Sequence, residues 1–133
     1  MALESSFQSK VLKWLKSQGC YAPKFNASAL SKAGVPDVPS CIRGIYVGIE
    51  LKKDIKSKAT ELQKYNIKEI DKSGGVGIVL RPPNFNLFKE IVTEFLNGDW
   101  YTWKDDINRF KIRLKREIGD DISNYANEPK RVL

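Results

Sequence analysis

Apolar and polar positions alternate most regularly along Ile45-Tyr46-Val47-Gly48-Ile49-Glu50-Leu51-Lys52, where Ile45, Val47, Ile49 and Leu51 fall on one face at period two. The pattern predicts a strand whose other face carries Tyr46, Gly48, Glu50 and Lys52. Just before it, Arg43-Gly44 fits a two-residue hairpin turn, which pairs Ile42 with Ile45 and Cys41 with Tyr46 and, counted back, sets Asp37 opposite Glu50. Pro36 and Pro39 cannot donate ladder hydrogen bonds, so this first arm is expected at a sheet edge. Helical spacing predicts helices over residues 4–18 (Phe7, Val11, Leu12, Leu15), 60–72 (Leu62, Tyr65, Ile67, Ile70) and 86–97 (Phe88, Ile91, Val92, Phe95). Ser5 with Gln8, and Thr60 with Gln63, have capping-box spacing.

The remaining segments are less regular. Residues 20–27 read as a strand interrupted by Pro23, followed by a loop of small residues up to Gly34. Ser73-Gly74-Gly75-Val76-Gly77 ends a helix and leads into a strand over residues 76–81, the reverse of the order a phosphate-binding glycine loop requires. Asp99-Trp100-Tyr101-Thr102-Trp103 could stack on bases, form a dimer contact or cover a core edge. Over residues 104–118, Ile107, Phe110, Leu114 and Ile118 fit a helix, while the alternation of Phe110, Ile112 and Leu114 leaves a strand open. Arg109, Lys111, Arg113, Lys115 and Arg116 then form a second basic surface, facing DNA or merely solvated. The tail after Gly119 is polar and expected to be loosely held.

Composition narrows the chemistry. A chain of 133 residues with 41% hydrophobic content can bury a core as a single domain. Its net charge of +7 fits a nucleic-acid binder. The absence of histidine removes serine triads, Cys–His pairs and His-ligated zinc, so catalysis has to run on carboxylates, lysine or a metal ion. Two cysteines, Cys20 and Cys41, make neither a thiolate zinc site nor a disulfide framework and read as small buried residues in a reducing compartment. No apolar run reaches membrane length and no signal-peptide pattern opens the chain, so the expected setting is the cytoplasm with no membrane partner.

Candidate chemistry centres on the hairpin. Asp37 opposite Glu50 sets two like charges on one face, which destabilises a sheet unless something positive lies between them. A divalent metal ion would resolve that conflict, and Lys52 adds a positive charge on the same face. After Lys52, Lys53, Lys56 and Lys58 make a basic loop that either holds a phosphate backbone by charge alone or is simply solvated. Lys24 and Lys32 are open to the same two readings.

Gly34-Val35-Pro36-Asp37, a short hairpin, Ile49-Glu50-Leu51-Lys52 and a downstream helical Gln63, with Glu4 ahead, resemble the VRR-NUC domain group of the PD-(D/E)XK nuclease superfamily over about residues 4–81. The resemblance implies an α/β, restriction-endonuclease-like core, a mixed sheet flanked by helices, over residues 1–83. Residues 84–133 would be a helical extension packed on the same domain. It implies Mg²⁺ or Mn²⁺ held by Asp37 and Glu50, with the Leu51 carbonyl and Glu4 as further ligands. Lys52 would orient the attacking water or stabilise charge on the phosphate, and Gln63 would lie beside the site. The implied activity is structure-selective cleavage of branched or junction DNA, encoded by a bacterial virus. Symmetric cutting needs two sites and so a homodimer, for which Phe88, Phe95, Trp100 and Trp103 offer apolar anchors, unless the same residues fold back to cover the sheet of a monomer that nicks. Two alternatives stay open: a catalytically inactive DNA-binding module of the same fold, and a basic structural protein in which Glu50 and Lys52 are an ordinary surface pair.

Overall fold

The structure, a computed structural model, describes residues 2–24 and 33–122, with side chains from Ser6 onward. It is a mixed α/β fold: a small three-stranded sheet flanked by helices. In chain order the elements are α1 (Ala2–Ser17), β1 (Val38–Ile42), β2 (Ile45–Leu51), α2 (Glu61–Lys72), β3 (Val76–Leu80), α3 (Phe85–Leu96) and α4 (Trp103–Arg113). A π-helical turn, Leu114–Ile118, extends α4, so the helical reading of residues 104–118 holds and the strand reading does not.

Strand β2 lies at the centre of the sheet, antiparallel to β1 and parallel to β3. The hairpin turns through Arg43 and Gly44, with φ of 49° and 86°, both in the left-handed region that two-residue hairpins favour. Arg43 is held there by hydrogen bonds from its guanidinium to Phe95 O (2.6 Å), Asp106 Oδ2 (2.9 Å) and Asp99 O. The resulting register pairs Val38 with Ile49, Ser40 with Val47 and Ile42 with Ile45, as counted from the sequence.

The alternation of β2 sorts the layers. Ile45, Val47, Ile49 and Leu51 join Val38, Ile42, Val76, Ile78 and Leu80 in the main core, which α1, α3 and α4 cover with Val11, Leu15, Phe88, Ile91 and Phe110. Helix α2 covers the opposite face. There Gly48 and Gly77 sit side by side in the parallel register, because a Cβ on Gly48 would lie 2.8 Å from Ile70 Cδ1 and one on Gly77 would lie 2.9 Å from Ile67 Cγ2. Two glycines therefore let the helix close on the sheet. Of the apolar residues predicted for this helix, Ile67 is buried, whereas Leu62 and Tyr65 are exposed because α2 has the sheet on one side only.

The expected strand over residues 20–27 is reduced to one bridge. Tyr21 and Cys41 exchange both backbone hydrogen bonds, at 3.3 and 2.9 Å. The next hydrogen-bonded pair would set Pro23 against Pro39, and neither has an N–H to give. Residues 25–27 of that prediction lie outside the described residues. Cys41, expected to be buried, is exposed because it shares the face of Tyr46, also exposed, whereas Cys20 joins the core.

Sequence reasoning also misplaced part of the C-terminal third. Of the four aromatics open to a dimer contact or to covering the sheet, Phe88 and Phe95 are buried in the core, Trp103 packs against it and donates to Arg43 O, and Trp100 remains exposed. Lys111 and Lys115, expected on a basic surface, are buried. The Lys115 ammonium lies 2.7 Å from Asp71, 2.9 Å from Asp120 and 2.6 Å from Gly77 O, while Gly119 O accepts from Val79 N–H at 3.0 Å. These contacts close the outer edge of β3, which would otherwise offer unpaired backbone groups to another chain. The start of the tail is accordingly held, with Asp120 buried and Asp121 in an ion pair. The described residues contain no helix long and apolar enough to cross a membrane.

Candidate active site

The site forms where the β1–β2 ladder runs out. Carried one pair beyond Val38 and Ile49, the register sets Asp37 beside Glu50 on the face toward α2. The following hydrogen-bonded pair would be Pro36 with Leu51, but a proline cannot donate. The Asp37 side chain takes over instead, its Oδ2 accepting from Leu51 N–H at 2.8 Å. A strand residue points its N–H and C=O to the same side, so the Leu51 carbonyl also faces the end of β1, toward Asp37.

Glu50 is only 3% exposed. A carboxylate that deep is costly unless charge and hydrogen bonds compensate it. Here Gln63 Nε2 donates to Glu50 Oε2 at 2.8 Å, and the Lys52 ammonium stands 3.7 Å from the same oxygen. Gln63 itself is fixed from behind. Thr60 caps α2, its hydroxyl accepting from Gln63 N–H at 3.1 Å while Gln63 Oε1 accepts from Thr60 N–H at 2.8 Å. Because a backbone N–H can only donate, the amide must turn its oxygen to Thr60 and its NH₂ to Glu50. The capping role and the site role of Gln63, alternatives in the sequence, are performed by the two ends of one amide.

Asp37, Glu50, Lys52 and Gln63 thus come together with the Leu51 backbone, while the other candidates are differently placed. Lys53, Lys56 and Lys58 are exposed on the loop that leaves β2 for α2, and Lys24 is exposed after the Tyr21 bridge. Glu4 lies inside α1, not ahead of a helix capped by Ser5, and its side chain is outside the described residues, as is Lys32. The second basic surface is largely neutralised: Arg109 pairs with Asp106 at 3.5 Å, and Arg113 pairs with Glu94 and, at 2.7 Å, with Glu117.

Three residues shape the basic loop, of which only Asp54, through an Asx-type turn, acts on its own sequence neighbours. Asp54 Oδ1 accepts from Lys56 N–H, Ser57 N–H and the Ser57 hydroxyl at 3.0–3.1 Å, and the Ser57 N–H, followed by its other donors and the nearby lysine, holds the Asp54 carboxyl below its usual range. Arg81, buried one residue past β3, donates to Asp54 O (2.8 Å), Ser57 O (2.5 Å) and Asp121 Oδ2 (2.9 Å). Burial alone would raise the Asp121 carboxyl, but the Arg81 hydrogen bond and the Ala59 N–H, which it accepts at 2.9 Å, outweigh that and lower it.

Two side-chain carboxylates and one main-chain carbonyl are hard oxygen donors. They fit Mg²⁺ or Mn²⁺, since such ions commonly use one or two protein carboxylates and complete their shell with water and substrate phosphate. Among the described residues no group of three or more Asp, Glu, Cys or His side chains is placed to share an ion, so this donor set is no closed cage. Comparison of the chain with protein-family models, curated proteins and solved structures finds no match.

Proposed function

We propose that the chain hydrolyses DNA phosphodiester bonds in a Mg²⁺- or Mn²⁺-dependent reaction, as an endonuclease selective for branched or junction structure and with a PD-(D/E)XK core of the VRR-NUC type. The observation that carries this reading is a buried Glu50, held by Gln63 and Lys52, on the same face and at the same ladder end as Asp37. An ordinary surface Glu–Lys pair has no reason to be buried under a helix cap.

Asp37, Glu50 and the Leu51 carbonyl would hold the ion, which when bound makes a coordinated water more acidic and offsets phosphate charge. Lys52 supplies a compact point charge to orient the water and stabilise charge building on the phosphate as the new P–O bond forms and the bond to the leaving oxygen breaks. Gln63 keeps the Glu50 carboxylate in one orientation. Lys53, Lys56 and Lys58 hold the backbone without reading bases, which suits selection by shape over sequence.

Relaxation of supercoiled plasmid tests the reading: nicking is expected in Mg²⁺ or Mn²⁺, and none in chelator or by Asp37→Asn. Binding without nicking by the wild type would favour the second reading, an inactive DNA-binding module. Asp37 and Glu50 each having a partner within the fold is the observation in its favour. Cutting both strands at once needs two copies of the site. A light-scattering mass of twice 15.1 kDa, after the mass of any bound DNA is subtracted, supports a homodimer, and 15.1 kDa restricts the protein to single nicks.

A further inference from the structure

We infer that Arg81 and Asp121 form a brace that holds residues 53–58 as a preformed surface for DNA backbone phosphates, making both residues positioning groups for substrate binding. The inference rests on the DNA-cleaving reading above and adds to it which residues make the loop competent.

A loop carrying Lys53, Lys56 and Lys58 would ordinarily lose conformational entropy on gripping a phosphate backbone. This one is ordered beforehand from two sides. Within the loop, the Asp54 carboxylate gathers three donors from Lys56 and Ser57. Beneath it, one buried guanidinium reaches the carbonyls of Asp54 and Ser57 and the Asp121 carboxylate. Asp121 also takes the Ala59 N–H, and Ala59 packs with Ile67, Val79 and Ile122. The parallel register of β2 and β3, carried one pair further, sets Arg81 beside Lys52, so the brace stands next to the candidate site. It ends at Ala59, next to the Thr60 cap that aims Gln63 at Glu50. Backbone strain is compatible with the arrangement: Asp121 has φ of 64°, a region Asp and Asn enter more readily than other side chains.

The brace and plain electrostatics give opposite signs. Asp121→Asn preserves side-chain shape and backbone tolerance but raises net charge by one, so charge alone tightens DNA binding. The brace requires weaker binding, because the loop loses the charged anchor of Arg81. Asp54→Ala, at an exposed residue, also raises the charge and attacks the brace from inside the loop. Fluorescence anisotropy on a labelled DNA duplex over a salt series, with no divalent metal, reads affinity and its salt slope. Hydrogen exchange at the Ala59 amide reads the brace itself. Both variants are expected to bind more weakly than wild type, with a salt slope smaller by about 0.9 for each phosphate that the loop no longer neutralises. Asp121→Asn is expected to exchange the Ala59 amide faster. Equal or tighter binding by both variants with an unchanged slope overturns the brace, and if Asp121→Asn fails to fold, Asp54→Ala decides alone. Cleavage in Mg²⁺ is scored separately: a wild type that binds but does not cut removes the nuclease reading and leaves the binding comparison to judge the brace. A wild type that does not bind DNA overturns both.

Discussion

Replacing Gln63 by Glu separates its two functions. A glutamate at this third helical position can still accept from Thr60 N–H, and its charge suits a helix N-terminus by about 0.5 kcal/mol. Its other oxygen, however, would replace an N–H that now donates to Glu50 Oε2 at 2.8 Å, against a residue 3% exposed. The hydrogen bond to a charged group that this removes is worth about 1.5–3 kcal/mol. Two carboxylates about 4 Å apart at an effective dielectric constant near 20 add about 4 kcal/mol of repulsion. Lys52, at 3.7 Å from the same oxygen, offsets part of this, and side-chain rotation relieves more. A net loss of about 2–4 kcal/mol is expected in chelator at neutral pH, a large share of the roughly 5–15 kcal/mol that holds a domain together. The sign with pH follows from proton linkage: the folded variant gains from binding a proton between the two carboxyls, so its deficit shrinks as pH falls toward about 4. Mn²⁺, which binds the folded state alone, should also recover stability, and more of it than in wild type because it offsets the repulsion between the two carboxylates. Urea denaturation at neutral and acid pH, with and without Mn²⁺, measures all three effects. A variant as stable as wild type in chelator at neutral pH would refute the Gln63–Glu50 contact. A stability that Mn²⁺ leaves unchanged in both proteins would refute the ion site.

Gly77→Ala forces a methyl against Ile67, including its backbone at 3.1 Å, and is expected to cost about 1–3 kcal/mol in thermal denaturation by lifting α2 off the sheet. Asp37→Asn keeps an acceptor for Leu51 N–H while removing one of two neighbouring negative charges, so differential scanning fluorimetry should show a higher melting temperature in chelator and no gain with Mg²⁺. Asp54 and Asp121, both with carboxyls lowered in the folded state, contribute stability that is present above about pH 4 and is lost as pH falls through their depressed values. Protection of the Ala59 amide should therefore fall in acid, and a pH-independent protection factor would contradict the Asp121 anchor.

The hairpin was legible because its determinants are local: alternation sorts the faces, Arg43-Gly44 sets the turn, and the register then carries Asp37 to Glu50 without further information. Thr60 and Gln63 were legible for the same reason, although spacing alone could not show that one amide serves both the cap and Glu50. What stayed hidden depends on partners far along the chain. Pro23 looked like an irregularity within a strand, and became its end only because the bridge register sets it against a second proline, Pro39. Lys111 falls at helical spacing from Ile107 and Leu114 and Lys115 flanks the same stripe, but their charge placed them in solvent; the acidic residues beside Lys115 are Asp71 in α2 and Asp120 past the turn. Arg81 and Asp121, separated by 40 positions, give no pattern that a window can detect. Phe88 and Phe95 show the converse limit, since an apolar stripe is the same in sequence whether it meets a core or a second molecule.

Single-turnover cleavage of labelled junction, flap and linear duplex DNA by wild type and Lys52→Ala, in Mg²⁺ and in Mn²⁺ with binding followed in parallel, tests the nuclease reading most directly. Lys52 lies at the ladder end beside Glu50, while Lys53, Lys56 and Lys58 remain on the loop to hold phosphates. The expected result is metal-dependent cutting by wild type that favours the branched substrates, and loss of cutting in Lys52→Ala with DNA affinity changed by no more than about the single phosphate contact one lysine can make. Equal cleavage by Lys52→Ala, or no cleavage by wild type in either metal, would contradict the assignment of a hydrolytic site at this end of β2.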